Sequence, residues 1–263
     1  MVPQVQQAAA FVAPASWRAI DFISDLHLAD DTPRTFEAWS HYLRHTRADA
    51  VLILGDLFEV WVGDDARATG FEARGAAVLA EAASRRTIGF MVGNRDFLLG
   101  REMLDACGVT ALADPTVISA FGARMLLSHG DAMCIGDVAY QQFRTLVRSA
   151  AWQRDFLARP MAERRALARE MRAESERRKG AAGPWFDVDR ETAIDALHRA
   201  DAPALIHGHT HRPGSETLAP GYNRHVLTDW DLDHGSVPRA EVLRWQSTGL
   251  ARVTPEEAVP CMR

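Results

Sequence analysis

The chain has few cysteines and almost no lysine. Its three cysteines, Cys107, Cys134 and Cys261, are far apart in the sequence and form no C-x-x-C pair. This spacing excludes a disulfide framework and a zinc–thiolate site, and it favours a reducing compartment. Lys179 is the only lysine, and the formal net charge is -5. Because the chain lacks the basic character of nucleic-acid binding proteins, we predict no nucleic-acid partner.

Long hydrophobic runs are also missing, as is the positively charged start of a signal peptide. No uninterrupted apolar run is long enough to span a bilayer. Residues 1–16 contain neither lysine nor arginine, so we predict a flexible N-terminal extension there. With 263 residues, 47% of them hydrophobic and 25% charged, the chain suits one large domain or one domain with a sizeable insert. We predict a cytoplasmic protein without an obligate protein partner.

The predicted strands fall into two groups. In the first half, short apolar runs alternate with helical stretches, which is typical of parallel strands covered by helices on both faces. These runs are AIDFIS, AVLILG and IGFMVG. After residue 114, five runs with fewer helices between them predict a second sheet: TVISAF, RMLLSHG, ALIHGHT, HVLTDW and AEVLRW. The sequence thus predicts an α/β fold of two sheets with helices outside.

Residues 137–182 differ from the rest, because they show a long helical pattern without a strand. Within them, residues 152–179 hold nine arginine or lysine residues against five acidic ones, in a chain that is acidic overall. We interpret this segment as an insert between two parts of one core, residues 17–136 and 183–250.

Five predicted strands end in aspartate, asparagine or histidine, and a glycine stands beside four of these ends. In sheets of this type, ligands collect at the carboxyl ends of the strands, so we expect these side chains to converge on one site. The seven candidate ligands are Asp25, His27, Asp56, Asn94, His129, His207 and His209.

The donors in this set are oxygen and imidazole nitrogen atoms, which suit manganese, iron, zinc or cobalt better than calcium. Seven ligands are too many for one ion and suit two ions that share a bridging carboxylate. Two metal ions together promote in-line displacement at phosphorus and make hydroxide available near neutral pH. The pattern therefore predicts metal-assisted hydrolysis of a phosphoester or phosphoanhydride.

The order Asp-x-His, Gly-Asp, Gly-Asn, His and Gly-His-x-His resembles the calcineurin-like metallophosphoesterases. The resemblance implies a four-layer αββα double-sheet sandwich and a helical cap formed by residues 137–182. It also implies two Mn2+ ions that share Asp56 as their bridge. One ion would be held by Asp25, His27, Asp56 and His209, and the other by Asp56, Asn94, His129 and His207.

Longer strings resemble one branch of that family, whose members hydrolyse the lipid nucleotide UDP-2,3-diacylglucosamine in lipid A assembly. These strings are GDLFEVWVGDD, GNRDFLLG, HGDAMCIGDVAYQQFR, MRAES and HGHTHRP. This closer resemblance implies water attack at the α-phosphorus, with release of UMP and 2,3-diacylglucosamine 1-phosphate. It also implies that the protein associates peripherally with the inner membrane.

The same resemblance implies roles for individual residues. Arg95 follows Asn94 where most family members carry histidine, and a guanidinium suits a diphosphate because it offers a planar pair of donors. The implied catalytic residues are Asn94, Arg95 and His129. The implied substrate contacts are Asn94, Arg95, Asp137, Tyr140, Ser175, Lys179 and His207.

Several alternatives stay open on the sequence. The apolar residues of the insert either line a groove for acyl chains or form the packing face of its own helices. These residues are Phe143, Trp152, Phe156, Leu157, Met161 and Met171. The basic residues face the diphosphate, an anionic membrane or solvent. The alternative functions are a phosphodiesterase or phosphatase for a soluble nucleotide, a nuclease, and a non-catalytic scaffold.

Overall fold

The computed structural model describes residues 8–180 and 186–259, except for the side chains of residues 175, 176 and 178–180. Two predicted substrate contacts, Ser175 and Lys179, therefore lie outside the described side chains. Within the described part of the chain, Cys107 and Cys134 are buried and free. No helix in this part combines the length and the hydrophobicity that crossing a bilayer requires.

The described residues form twelve strands and eight α-helices. The strands are β1 (Ala9–Val12), β2 (Ile20–Ile23), β3 (Ala50–Leu54), β4 (Thr87–Met91), β5 (Thr110–Ala111), β6 (Thr116–Ala120), β7 (Ala123–Ser128), β8 (Ala204–His207), β9 (Gly214–Ala219), β10 (Tyr222–Val226), β11 (Val242–Gln246) and β12 (Gly249–Val253). The helices are α1 (Pro33–His45), α2 (Gly70–Ala83), α3 (Arg101–Cys107), α4 (Val138–Val147), α5 (Ala150–Leu157), α6 (Met161–Gly180), α7 (Arg190–Ala200) and α8 (Pro255–Ala258).

The first sheet has the strand order β12-β11-β2-β3-β4-β5. Strands β2, β3 and β4 run parallel, as their continuously apolar sequences predict, and the short strand β5, which we did not predict, pairs in parallel with β4. Strand β11 pairs antiparallel with β2, and β12 pairs antiparallel with β11. The prediction that AEVLRW belongs to the second sheet is therefore wrong, because Leu243 of β11 lies opposite Phe22 of β2. Strand β12 also extends this sheet beyond residue 250, where we placed the end of the core.

The second sheet has the strand order β1-β6-β7-β8-β10-β9. Its central pairs, β7 with β8 and β8 with β10, are parallel. Strand β1 shows that the prediction of a flexible extension over residues 1–16 is wrong for residues 9–12. This segment pairs in parallel with β6, and Phe11 packs against the core between the sheets. Residues 1–7 lie outside the described residues.

The two sheets pack face to face, and helices cover their outer faces. Between them lies a layer of buried apolar side chains from both sheets, including Phe22, Leu52, Leu127 and Ile206. Helices α1, α2 and α3 bury Trp39, Leu79 and Met103 against the first sheet. Helix α7 buries Leu197 against the second sheet. The predicted four-layer αββα sandwich is confirmed.

Helices α4, α5 and α6 occupy the segment predicted as an insert. The Trp152 ring packs on the rings of Phe97 and Phe156, with centroids 6.0 and 4.8 Å apart. Phe156 is buried in the apolar cluster under the first sheet, and Met161 packs against that cluster. Phe143, by contrast, is 36% exposed. Trp152, Phe156 and Met161 therefore form a packing face.

Arg164 anchors α6 to the core. Its Nη1 atom donates to the buried carbonyl of Val62 at 2.6 Å and to Asp65 Oδ1 at 2.9 Å. We expect Arg164→Ala to lower the free energy of unfolding by about 1–3 kcal/mol, because the carbonyl loses its donor. The control is Arg165→Ala, whose 40% exposed side chain pairs with Glu72 and should contribute only about 0–1 kcal/mol. Urea unfolding compares the two variants, and equal losses would contradict the anchoring role.

Candidate metal centre

Six of the seven predicted ligands lie in loops at the carboxyl ends of β2, β3, β4, β7 and β8, and the seventh, His207, is the last residue of β8. Several have a left-handed backbone, which costs residues other than glycine about 1–3 kcal/mol each and often marks functional sites. The φ angles are 55° at Asp25, 47° at His27, 53° at Asp56, 68° at His209 and 52° at His211. Strand β2 ends before Asp25, so these turns, and not strand alternation, direct the side chains into the site.

Gly55 and Gly93 allow two of these loops to approach each other closely. A Cβ atom on Gly93 would lie 2.1 Å from Asp56 Oδ1, and one on Gly55 would lie 2.5 Å from His129 Nδ1. Both distances are far shorter than van der Waals contact, so no other residue fits without moving a loop. The glycines beside the strand ends therefore permit the close packing of the site.

Asp25, His27 and His211 form one side of the site. The Nε2 atom of His211 lies 3.2 Å from His27 Nε2 and 3.4 Å from Asp25 Oδ1. Asp25 Oδ2 accepts hydrogen bonds from the Ser24 hydroxyl and the His209 backbone N–H, whereas its buried Oδ1 accepts none. Asp25, His27 and His211 offer ligand atoms within 4.8 Å of one another, an arrangement that could hold a metal ion.

Asn94, His129 and His209 form the other side. Asn94 Oδ1 lies 3.0 Å from His129 Nε2 and 2.7 Å from His209 Nδ1. The Nδ1 atom of His129 lies 2.9 Å from the Leu54 carbonyl, so Nδ1 carries a proton and Nε2 is the ring nitrogen that faces the site. We predicted His209 beside His27, but the structure places it with Asn94.

Asp56 lies between these two sides. Its Oδ2 atom is 4.0 Å from His27 Nε2 and 3.8 Å from His129 Nε2. Its Oδ1 atom accepts a hydrogen bond from the backbone N–H of Arg95 at 2.7 Å, which fixes the orientation of the carboxylate. Asp56 thus has a geometry suited to a bridging ligand.

The protonation states also suit a bound cation. Burial opposes a charge on His129, yet the carboxylates of Asp56 and Asp25 are near enough to raise its pKa to about 9, so without a metal ion this imidazole holds a proton that a bound cation would replace. Burial lowers the pKa of His27 and of His209 to about 4, so both imidazoles are neutral at pH 7. Neutral imidazoles beside carboxylates that attract positive charge are the combination that metal binding requires.

Asp96 organises these loops, although sequence reasoning did not identify it. Its fully buried carboxylate accepts hydrogen bonds from the backbone N–H groups of Gly93 and Leu57, each at 2.8 Å. Burial, together with the nearby charge of Asp56, raises the pKa of Asp96 to about 6. Asp96 stands two residues after Asn94 in the string GNRDFLLG, and this position could have indicated its role.

His207 does not join either side of the site. Its Nδ1 atom lies 2.8 Å from the Gly208 carbonyl, and its Nε2 atom accepts a hydrogen bond from Arg224 Nε at 2.8 Å. Burial and the Arg224 charge lower the pKa of His207 to about 3. The prediction that His207 is a metal ligand is wrong in this structure, because protein groups occupy both of its nitrogens. The Gly-His-x-His motif begins at Gly208, so its second histidine is His211.

Among the predicted substrate contacts, Arg95 and Tyr140 lie at the site. The Arg95 side chain is 15% exposed. The Tyr140 ring lies 5.9 Å from that of His209, and its hydroxyl donates to the buried carboxylate of Asp131 at 2.6 Å. Asp137 caps α4 by accepting a hydrogen bond from the backbone N–H of Tyr140 at 2.9 Å. Asp137 and the Tyr140 hydroxyl thus already have partners within the protein.

Comparison with known proteins extends these observations. The calcineurin-like phosphoesterase family matches residues 19–213. The chain is 47% identical over 226 residues to the UDP-2,3-diacylglucosamine hydrolase of Chromobacterium violaceum, and the match covers 82% of this chain and 92% of that protein. It is 46% identical over 239 residues to the protein of the same name from Ralstonia nicotianae, covering 86% and 88% of the two chains. For the Bordetella pertussis protein of that name the identity is 41% over 235 residues, covering 86% and 91%. The chain belongs to the calcineurin-like phosphoesterase family.

Membership of this family implies a divalent metal centre, and the site of this calcineurin-like phosphoesterase fits one. The buried Oδ1 atom of Asp25 has no hydrogen-bond donor, and two imidazole nitrogens face each other beside it. A cation bound by Asp25 Oδ1 and by the Nε2 atoms of His27 and His211 would give all three atoms a partner. The donor set of oxygen and imidazole nitrogen suits a first-row transition metal.

Replacing His211 tests the corrected ligand set. We expect His211→Ala to weaken binding of Mn2+ by more than about 100-fold, because a direct ligand contributes more than the supporting residues around it. The control His207→Gln, at the last residue of β8, should weaken it far less. Titration of metal-stripped protein, with free Mn2+ followed by electron paramagnetic resonance, compares the two variants. A larger loss in His207→Gln would restore our original assignment.

Proposed function

We propose that this protein hydrolyses the pyrophosphate bond of UDP-2,3-diacylglucosamine and yields UMP and 2,3-diacylglucosamine 1-phosphate. The observation that carries the proposal is the 41–47% identity, over 82–86% of the chain, to proteins named UDP-2,3-diacylglucosamine hydrolase. Arg95, next to the candidate ligand Asn94, supports it further, because a guanidinium can bind two oxygens of a diphosphate at once.

The proposed cofactor is a pair of Mn2+ ions. One would be held by Asp25, His27, Asp56 and His211, and the other by Asp56, Asn94, His129 and His209. When bound, such a pair activates water and stabilises charge on the phosphoryl oxygens. The chain itself prepares the ligands, because the Leu54 carbonyl fixes the tautomer of His129 and the Arg95 backbone orients Asp56.

Arg95 would bind the diphosphate and stabilise the charge that develops at the α-phosphorus. Its backbone N–H donates a hydrogen bond to Asp56 Oδ1, so the backbone of Arg95 is held beside the proposed bridging carboxylate. Its Nε atom is buried and makes no hydrogen bond, which leaves a donor for a substrate oxygen. A donor that is already in place needs little reorganisation as charge forms on the phosphate.

Residues 137–182 would cover the site as a cap and handle the lipid. Helix α4 brings Tyr140 beside His209, and helix α6 brings Arg172 to Glu59. The cap also exposes apolar side chains that suit acyl chains or the surface of the inner membrane: Val138, Phe143, Leu146 and Leu157. The protein would therefore act in the cytoplasm, in peripheral contact with that membrane.

Turnover of UDP-2,3-diacylglucosamine by metal-stripped protein, with and without added Mn2+, tests the proposal. We expect UMP release that depends on Mn2+, with slower hydrolysis of bis(p-nitrophenyl) phosphate. Asp56→Ala protein, purified in the same way, controls for contaminating hydrolases. Hydrolysis of the generic diester with none of the lipid nucleotide would leave the metal centre in place and assign the protein to the phosphodiesterases of soluble substrates.

A further inference from the structure

Glu59 occupies a position that the proposed reaction does not yet explain. It follows Asp56 by three residues, and its backbone N–H donates to the Leu28 carbonyl at 3.1 Å. This bond joins the loop after β3 to the loop after β2, which carries His27. The Glu59 side chain is only 17% exposed. Its carboxylate is therefore held between the ligand loops and the helices above them.

One oxygen of this carboxylate faces a candidate metal ligand. Glu59 Oε2 lies 3.0 Å from His27 Nδ1, an ion-pair contact in which Nδ1 makes no hydrogen bond. An acceptor oxygen this close favours the tautomer that carries its proton on Nδ1, which leaves the lone pair on Nε2. The Nε2 atom of His27 is the one that faces His211, at 3.2 Å. Carboxylates that orient a ligating histidine in this way also raise its basicity.

The other oxygen faces two guanidinium groups. Glu59 Oε1 contacts Nη1 of Arg172, a residue of helix α6, and lies 3.8 Å from Nη1 of Arg95. The Arg95 side chain is 15% exposed and that of Arg172 is 35% exposed, so solvent screens these charges only in part. The carboxylate thus connects helix α6 with the residue that would bind the diphosphate.

We propose that Glu59 is a positioning residue that orients His27 for metal binding through one carboxylate oxygen and holds helix α6 against the site through the other. The inference rests on the proposed metal-dependent hydrolysis. It predicts that the two tasks are separable, because a glutamine at this position keeps an oxygen acceptor but loses the negative charge.

Two substitutions separate these tasks. Glu59→Ala removes the acceptor, so we expect the dissociation constant for Mn2+ to rise about 10–100-fold. Glu59→Gln keeps the acceptor for His27, so its affinity for Mn2+ should stay close to that of the wild type. Amide hydrogen exchange in residues 161–174 should become about two- to fivefold faster in both variants, because the ion pair to α6 is lost. The matched control is Glu72→Gln, which loses a different carboxylate paired with α6, at Arg165, and should leave the Mn2+ affinity unchanged.

Titration with Mn2+ alone and hydrogen exchange provide the two readouts, and neither requires the lipid substrate. Unchanged Mn2+ affinity in Glu59→Ala would overturn the role toward His27. A loss in Glu59→Gln equal to that in Glu59→Ala would do the same, since it would show that only charge matters. Unchanged exchange in α6 would overturn the role toward Arg172. If the wild type bound Mn2+ normally but left the lipid nucleotide intact, the proposed substrate would fail while this inference stood.

Discussion

Replacing Asp56 by alanine should abolish turnover and remove most of the bound metal without unfolding the protein. Its carboxylate reaches both sides of the site, 4.0 Å from His27 Nε2 and 3.8 Å from His129 Nε2. Losing this carboxylate weakens both proposed cation positions at once, so we expect kcat/KM to fall by at least about 10³-fold. The loss should exceed that of His211→Ala, because His211 would serve only one cation.

Metal content, rate and thermal stability are to be measured on the same preparation. The matched control is Asp64→Asn, another carboxylate between β3 and α2. It accepts hydrogen bonds from the backbone N–H groups of Gly100 at 2.8 Å and Met103 at 2.9 Å. Asp64→Asn should lower the melting temperature and retain the metal. If Asp56→Ala kept two equivalents of metal, Asp56 would not be the bridge.

The central strands could be predicted from sequence because burial on both faces leaves a simple pattern. In β2, Ile20 and Phe22 face the layer between the sheets, while Ile23 faces the helices. A strand covered on both sides is almost continuously apolar, which is what the first half of the chain shows. Strand β1 could not be found in this way, since Ala9 and Val12 are exposed. Strand β1 forms because its backbone pairs in parallel with β6. A local sequence pattern does not indicate such a long-range pairing.

The choice among the neighbouring histidines was the part of the candidate ligand set that we predicted wrongly. His207, His209 and His211 alternate along one segment, so their spacing alone does not distinguish them, although the Gly-His-x-His motif at Gly208 indicates His209 and His211. The choice depends on Arg224 of β10, which donates to His207 and removes it from the site. The left-handed turn at His211 then brings this residue to Asp25. Both effects arise from tertiary contacts, which residue spacing cannot show.

Asp21 is a buried carboxylate whose loss should destabilise the fold more than the loss of Arg164. It lies in β2 on the helix side of the first sheet and is fully buried. Its two oxygens accept hydrogen bonds from Arg244 of β11 at 2.7 and 2.8 Å. The hydroxyls of Tyr42 and Thr46 add bonds of 2.8 and 3.0 Å. The network therefore joins β2, β11 and the end of α1.

Asp21→Ala should lower the free energy of unfolding by about 3–5 kcal/mol, because it leaves the Arg244 guanidinium, 13% exposed, without its counter-charge. Asp21→Asn should cost less, since the amide keeps one acceptor oxygen. Urea unfolding of metal-free protein measures both changes without a contribution from metal binding. Glu102→Ala, which removes an 80% exposed partner of Arg67, should leave the urea midpoint unchanged.

The double variant Asp21→Ala, Arg244→Met identifies the source of that loss. If the cost comes from an uncompensated buried charge, removing the charge should restore part of the stability, and the double variant should unfold at higher urea than Asp21→Ala alone. If the double variant is the less stable of the two, the contacts made by the Arg244 side chain stabilise the fold even without Asp21. In that case the arginine would join β11 to the end of α1 through its bond to the Thr46 hydroxyl and to α8 through its bond to the Ala258 carbonyl.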